Sequence, residues 1–288
     1  MRQSPCRRHL TEQEPSPTIT ANAQQHQGNP PKRPVTTFLH LPAEVRWQIY
    51  GYVFTTRRVE VVRQRNKAGI QNRPRYRLYN RQLRPRRPEN QIAPTAGPFV
   101  FTSLPIGLVL SCRTIYRETV LQLYAQTQFI FNTTKTVSRF LRTTSRDAQA
   151  AIQHIELNQV MYNEPRLTEF RYFKLRSDMA WYMACEEMAL RLTSLRVLHV
   201  RLTVHDWPIR LVVGERWSLP LLFFGRDGGI DYVAIKLVVG VFGREKVREA
   251  ERGLEEKIMG AMKWQIREDE RLARELMGPI KTRVLRLV

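Results

Sequence analysis

Leu195-Arg196-Val197-Leu198-His199-Val200-Arg201-Leu202-Thr203-Val204 sets Leu198, Val200, Leu202 and Val204 on one face, and Val197, His199 and Arg201 on the other. Successive side chains of a strand point to opposite faces, so this run predicts a strand with one apolar and one more polar face. A sheet of such strands is not fully covered on both sides. Working outward, the same alternation of strand and helix recurs. Gln128–Phe131 reads as a strand before a helix at Lys135–Thr143, and Ile152–Leu157 as a strand before a helix at Phe170–Leu192. Leu195–Val204 is followed by a loop and a helical piece at Trp217–Phe224, and a fourth strand, Tyr232–Val241, leads into a long helix, Glu245–Met277. This order implies right-handed crossovers and a parallel or mostly parallel sheet: an α/β region in a protein that is α+β overall. The spacing from Ile155 to Leu198, roughly forty residues, makes a leucine-rich-repeat-like solenoid one form that the repeats can take.

The long C-terminal helix carries Val247, Ala250, Leu254, Ile258, Met262, Ile266, Leu272 and Leu276 roughly on one stripe. Gly253 and Gly260 weaken a free-standing helix of that length, so packing on its own domain is the economical expectation.

The N-terminal part has a different rhythm. In Phe38-Leu39-His40-Leu41-Pro42-Ala43-Glu44-Val45-Arg46-Trp47-Gln48-Ile49-Tyr50-Gly51-Tyr52-Val53-Phe54, Pro42 suits a helix start, and Glu44 lies favourably on the dipole behind it. Val45, Ile49 and Val53 fall on one face, widened by Tyr50 and Phe54, which reads as an amphipathic docking helix. A second amphipathic helix is predicted over Leu104–Tyr124 from Leu108, Cys112, Ile115, Thr119 and Leu123. Cys112 lies on that stripe and reads as a small buried hydrophobe, since no neighbouring base would activate it as a nucleophile.

Composition bounds the rest. The chain has 288 residues, 42% of them hydrophobic, enough for one large or two small cores. Residues 1–35, rich in Pro, Gln, Ser, Thr and Asn, read as a disordered leader. Residues 36–131 form a helical module with a basic insertion at 55–100, and 132–288 form the α/β region. Three cysteines, Cys6, Cys112 and Cys185, with no Cys-x-x-Cys pair, favour a reducing compartment, cytoplasm or nucleus. No apolar run reaches the length of a signal core or a membrane span, so neither secretion nor membrane insertion is expected. The sequon Asn132-Thr133-Thr134 then reads as chance.

The net charge of +21 is unevenly placed: residues 57–87 hold twelve Lys/Arg against the single acid Glu60. Within this stretch Val59–Val62 and Tyr76–Tyr79 can pair as a short hairpin. Arg73, Arg75, Tyr76, Arg77, Tyr79 and Arg81 interleave cations with aromatic rings, a composition that neutralises phosphates and stacks bases. A solvated, flexible insertion is the simpler reading, and no zinc-finger or RNP-type signature accompanies it. Residues 244–288 hold twelve Lys/Arg against nine Asp/Glu, as a salt-bridged helix surface does.

Motifs of catalysis are missing from the sequence. There is no G-x-S-x-G, G-x-x-x-x-G-K-[ST], G-x-G-x-x-G or H-E-x-x-H. Gly225-Arg226-Asp227-Gly228-Gly229 precedes a strand where a phosphate loop needs a helix, and so reads as a turn. His205-Asp206 lacks further ligands, and His154 and His199 have no carboxylate cluster. A non-enzymatic protein with no cofactor and no metal is expected.

Phe38-Leu39-x-Leu41-Pro42-x-Glu44-Val45-Arg46-x-x-Ile49-Tyr50, followed by Leu110-Ser111-Cys112-Arg113-x-Ile115-Tyr116-Arg117-Glu118, Leu123-Tyr124 and Phe129–Phe131, resembles the fungal F-box-like domain with two E-x-R-type motifs. The resemblance covers about residues 36–131. It implies protein interaction: an F-box-like helix docking on a Skp-type adaptor of a cullin ubiquitin ligase, with the C-terminal region recognising a target protein. Leu41, Pro42, Ile49 and Tyr50 are the positions the match would turn toward the adaptor, although the same stripe could form the domain's own core. Glu44, Arg46, Arg113, Arg117 and Glu118 are candidates for inter-helix ion pairs. The 46-residue insertion departs from a standard F-box, which completes its helices within about fifty residues. The rival reading is a nucleic-acid-associated protein that binds through residues 57–87.

Overall fold

A computed structural model describes residues 37–65, 76–83, 104–162, 170–205, 210–226, 230–240 and 242–277. The expected leader, residues 84–103 of the basic insertion and the piece after it, Arg73, Arg75 and the stretches 206–209 and 227–229 lie outside the described residues. Contacts divide the chain into two compact units, 1–43 and 44–288. In the first, Phe38–His40 form a 3-10 turn, and the Thr37 amide donates to His40 Nδ1 at 3.1 Å.

The second unit is a mixed six-stranded sheet in the order β2-β1-β3-β4-β5-β6. Its strands are β1 (Arg57–Arg65), β2 (Tyr76–Leu83), β3 (Thr127–Phe131), β4 (His154–Met161), β5 (Val197–Val204) and β6 (Tyr232–Val238). β2 runs antiparallel to β1, and every other neighbouring pair is parallel. The expected hairpin therefore forms, with Val62 opposite Tyr79. β1, however, is not a solvated, flexible segment. It pairs with β3, placing Val59 beside Phe129 and Val61 beside Phe131, and both valines are buried. A cation-rich strand is admitted to the sheet because its inward positions are β-branched and apolar.

One sheet face makes the core. Phe129, Ile155, Leu157, Leu198, Val200, Leu202, Val233 and Ile235 pack in one cluster with side chains of four helical elements. These are Phe140 and Leu141 of α4 (Thr134–Thr143), Trp181, Cys185 and Met188 of α6 (Arg171–Arg191), Leu221 of a 3-10 segment (Leu219–Gly225), and Leu254 and Ile258 of α7 (Arg244–Met259). Parallel strands in sequential order with right-handed crossovers deliver their connections to one side, which is why these elements share a face. Each fully buried large aliphatic side chain here contributes about 2 kcal/mol. The other face of β5 and β6 is more polar, with Arg201 and Lys236 exposed, as the alternation predicted. Between α4 and β4 the short helix α5 (Arg146–Ala150) presents Gln149, whose amide donates to the carbonyls of Leu141 and Thr144 at 2.6 Å each. The connections are too unequal for a regular solenoid: α6 has 21 residues where the 3-10 segment has 7.

Three expected helices, and the burial expected of Cys112, are corrected. α1 spans Ala43–Val53, directly after Pro42, but the stripe at Leu104–Tyr124 is broken into α2 (Ile106–Val109) and α3 (Arg113–Gln126). Cys112 is extended at the break and caps α3: its Sγ accepts from the Ile115 amide at 3.5 Å, so this half-exposed thiol is not a core residue. Trp217–Phe224 becomes a turn plus the 3-10 segment, anchored where Trp181 Nε1 donates to the Trp217 carbonyl at 3.1 Å. The long C-terminal helix is two, α7 and α8 (Ala261–Met277), divided at Gly260, whose φ of +84° interrupts the helical hydrogen-bond ladder.

β6 is an edge strand, and α7 and α8 close it. Glu255 Oε1 accepts from the Ile235 amide and Glu251 Oε1 from the Leu237 amide, both at 2.7 Å, while Arg267 Nη1 donates to the Val233 carbonyl. Outward-facing amides of an edge would otherwise template pairing with another chain. Arg267 also bridges Glu255 at 3.2 Å and lies over the Tyr232 ring. Burial raises both carboxyls above their ordinary values, more than the nearby cations lower them.

Candidate functional site

The first of three side-chain clusters joins α1 to α3. Leu41 and Pro42 belong to the first unit, so the four candidate adaptor residues do not form one described surface. Ile49 is half-buried, and Tyr50 is 0% exposed. Tyr50 is therefore corrected from an adaptor contact to a core residue: its hydroxyl donates to Glu118 Oε2 at 2.7 Å, and its ring meets Phe54 edge-on. Arg46 grips the same carboxylate with two bonds, Nε to Oε2 at 3.2 Å and Nη2 to Oε1 at 2.6 Å. The expected inter-helix pair is thus Arg46 with Glu118. Glu44, Arg113 and Arg117 are exposed and form no ion pair among the described residues.

The electrostatics follow from this geometry. Hydrogen bonds from Arg46 and then Tyr50 hold the Glu118 carboxyl below its usual range. Burial first, and the bond to Glu118 second, push the Tyr50 hydroxyl up to about 12. With its inner face fastened, α1 turns Val45, Trp47 and Tyr52 outward, and α3 exposes Tyr116 and Leu121. Tyr52 is 85% exposed.

A polar chain crosses β2, β1, β3 and β4. Arg81 Nε donates to Glu60 Oε2 at 2.7 Å, Asn132 Nδ2 donates to the other Glu60 oxygen, and Asn158 Nδ2 donates to Asn132 Oδ1 at 3.0 Å. Glu156 then accepts from Arg58 at 2.8 Å, Gln128 at 3.3 Å and Asn158 at 3.4 Å. Glu60 and Glu156 are buried, and buried charges persist when paired and hydrogen-bonded. This corrects part of the anion-binding expectation, because Arg81 is committed to Glu60. Of the other candidates, Arg77 and Tyr79 are exposed on β2, only the backbone of Tyr76 is described, and Arg73 and Arg75 lie outside the described residues.

The third cluster is a basic groove of about 1230 Å³ between the β1–β2 hairpin, α4 and α6. Arg63, Arg77, Lys135, Arg139, Arg142 and Arg191 line it, against Glu186 and Glu187. Arg191 is held by Glu187 at 2.7 Å and by the Leu141 carbonyl at 2.9 Å.

Among the described residues, no group of three or more His, Cys, Asp and Glu could hold a metal ion, and no helix is long and apolar enough to cross a membrane. His154 is set against the Ala125 carbonyl at 3.3 Å, and burial lowers its pKa; His199 lies against the Tyr232 ring. Sequence reading passed over the carboxylate braces and the α4 cations. Glu60 was legible as the one acid among twelve cations, and Lys135, Arg139 and Arg142 as an i, i+4, i+7 row on an expected helix. Nothing local marked Glu156, Glu251 or Glu255.

Fold and clusters together define a mixed α/β protein whose buried carboxylates brace strands and helices and which, among the described residues, exposes aromatic side chains on α1 and a basic groove. The chain belongs to the family of a domain of unknown function, DUF7730, which matches residues 32–217 and thus runs from before α1 to the turn ahead of the 3-10 segment. No curated protein and no solved structure matches it.

Proposed function

We propose that the chain is a non-enzymatic protein-interaction module of the cytoplasm or nucleus that docks through the outer faces of α1 and α3, with a Skp-type adaptor of a cullin ubiquitin ligase as the partner the F-box-like motif resemblance suggests. One observation carries this reading. Tyr52, Trp47 and Val45 are exposed on a helix whose inner face is fastened through Tyr50 and the Arg46–Glu118 pair. Large aromatic side chains on a helix that is already fastened offer contact area without the cost of ordering the backbone, and such residues are enriched in binding hot spots. Val45 and Tyr52, seven residues apart, share the outer face of α1 and form the adaptor-facing set, while Trp47 lies exposed on the flank beside the Tyr50 ring, and Tyr50 supplies rigidity from behind.

The alternative, nucleic-acid association through residues 57–87, draws less support. Arg58 and Arg81 are engaged by Glu156 and Glu60, and Arg57 is buried with its guanidinium donating to the Val53 carbonyl at 3.0 Å.

The test is co-purification of the full chain with a fungal Skp-type adaptor, wild type beside Tyr52→Asp and Trp47→Asp, each checked for fold by circular dichroism. Stoichiometric binding lost in the folded variants supports the reading. A folded wild type that does not bind, or variants that bind as well as it does, would reject it.

A further inference from the structure

α4 is amphipathic in an unusual sense. Val137, Phe140 and Leu141 are buried in the core, while Lys135, Arg139 and Arg142 line the groove and are exposed. Like charges one helical turn apart repel, and among the described residues none of these three has an ion-pair partner. Arg77, also exposed, faces the same groove from the hairpin, so the cations come from separate elements of the fold. Their convergence on a concave surface focuses a positive potential there.

The remaining lining says what kind of anion fits. Met183 and Leu190 of α6 are exposed large hydrophobics beside the cations, with Ala180 near them. Thr134 and Ser138 add hydroxyls, and no aromatic residue is among the described residues that line the groove. Single-stranded nucleic acid is held by stacking bases on aromatic rings, for which the described lining offers no platform. A volume of about 1230 Å³ exceeds the usual small-molecule pocket and suits a length of chain.

We propose that the groove binds an extended acidic peptide of a partner protein. Its carboxylates pair with Lys135, Arg139, Arg142 and Arg77, and its aliphatic side chains lie against Met183 and Leu190. Arginine forks match carboxylates in two-bond geometry, so the arginines set register as well as attraction. Glu186 on the α6 side disfavours acidic side chains at that wall, which directs the peptide's carboxylates toward α4. The proposal stands on the groove alone and does not depend on docking through α1.

The experiment measures fluorescence polarisation of a labelled peptide of alternating Glu and Leu residues against the full chain. Wild type is compared with Arg139→Glu/Arg142→Glu, with Met183→Ser/Leu190→Ser, and with Arg113→Glu/Arg117→Glu. The last pair makes the same charge change on exposed α3 positions that do not line the groove. The expected result is saturable binding that weakens with salt and falls roughly tenfold or more in the Arg139/Arg142 variant, the equivalent of about 1.4 kcal/mol. The Met183/Leu190 variant loses several-fold, and the α3 variant stays within about twofold of wild type. Equal losses in both charge-reversed variants, no saturable binding by wild type, or tighter binding of a single-stranded oligonucleotide of matched charge would each overturn the proposal.

Discussion

Glu255→Ala tests how the sheet edge is closed. Its carboxylate accepts the Ile235 amide at 2.7 Å and meets Arg267 at 3.2 Å, in a setting where the Arg267 side chain is only 12% exposed. Removing it strands a backbone donor, at about 1–3 kcal/mol, and takes the partner from a largely buried cation, for which broken pairs cost about 3–5 kcal/mol. The two costs overlap, and Arg267 keeps the Val233 carbonyl and the Tyr232 ring, so the net loss should be about 3 kcal/mol. With a urea slope of about 3 kcal/mol/M, the unfolding midpoint at pH 7 falls by about 1 M. Glu255→Gln keeps an acceptor for Ile235 and should lose about half as much. Hydrogen exchange localises the effect: the Ile235 amide loses protection, while Leu237, held by Glu251, keeps it. Because burial raises the Glu255 carboxyl, the folded protein binds that proton more tightly than the unfolded chain does. The group's contribution is therefore full below the unfolded pKa and is lost as pH rises through the raised folded value, so wild type loses ground to Glu255→Gln across that window. An alanine variant whose midpoint moves by less than about 0.2 M, with Ile235 still protected, would refute the argument.

Tyr50→Phe removes a hydroxyl bonded to a carboxylate and should cost about 1.5–3 kcal/mol in chemical unfolding. In wild type the Tyr50 hydroxyl, raised to about 12, adds stability below the unfolded value of 10 that is lost between there and about 12, so the variant should show a shallower alkaline decline. Gly225→Ala places a Cβ 3.0 Å from the Lys257 carbonyl oxygen and 3.1 Å from Ile258 Cα, so overpacking between the 3-10 segment and α7 should lower stability by about 1–3 kcal/mol, read as an earlier thermal midpoint. Under native alkylation Cys112, half-exposed at a helix cap, should be modified while Cys185, fully buried with its thiol pushed well up by desolvation, stays protected until the chain unfolds; peptide mass mapping distinguishes them.

How much was legible in advance depended on whether the signal was local. The alternation in Leu195–Val204 predicted β5, its apolar face and its polar face, because side-chain direction in a strand is set by the backbone alone. The parallel sheet followed from element order, since crossovers are short and of one hand. Helix breaks were missed where a single residue outweighed the stripe: the Cys112 cap and the positive φ at Gly260 sit inside patterns that periodicity carries straight through. The basic stretch was misread for a related reason. Charge dominates its composition, while two valines decide that β1 enters the sheet, and they do so only because Phe129 and Phe131 wait beside them.

By itself, then, the sequence determined the fold class, the parallel pairing of β3 to β6, the start of α1 behind Pro42 and the overall positive field. These depend on neighbours along the chain and on composition, which no folding event changes. Tertiary structure alone decided which charges are spent and which remain. Arg46 is joined to Glu118, 72 positions away, out of several ion-pair candidates, and Glu156, 98 positions from Arg58, withdraws a cation that composition had offered to a ligand. The same folding brings Arg77 to a groove shared with Lys135, Arg139 and Arg142, leaving unneutralised charge in one concave place. Coulomb energy and desolvation depend on distance and burial in space, and neither is written in the linear order of residues.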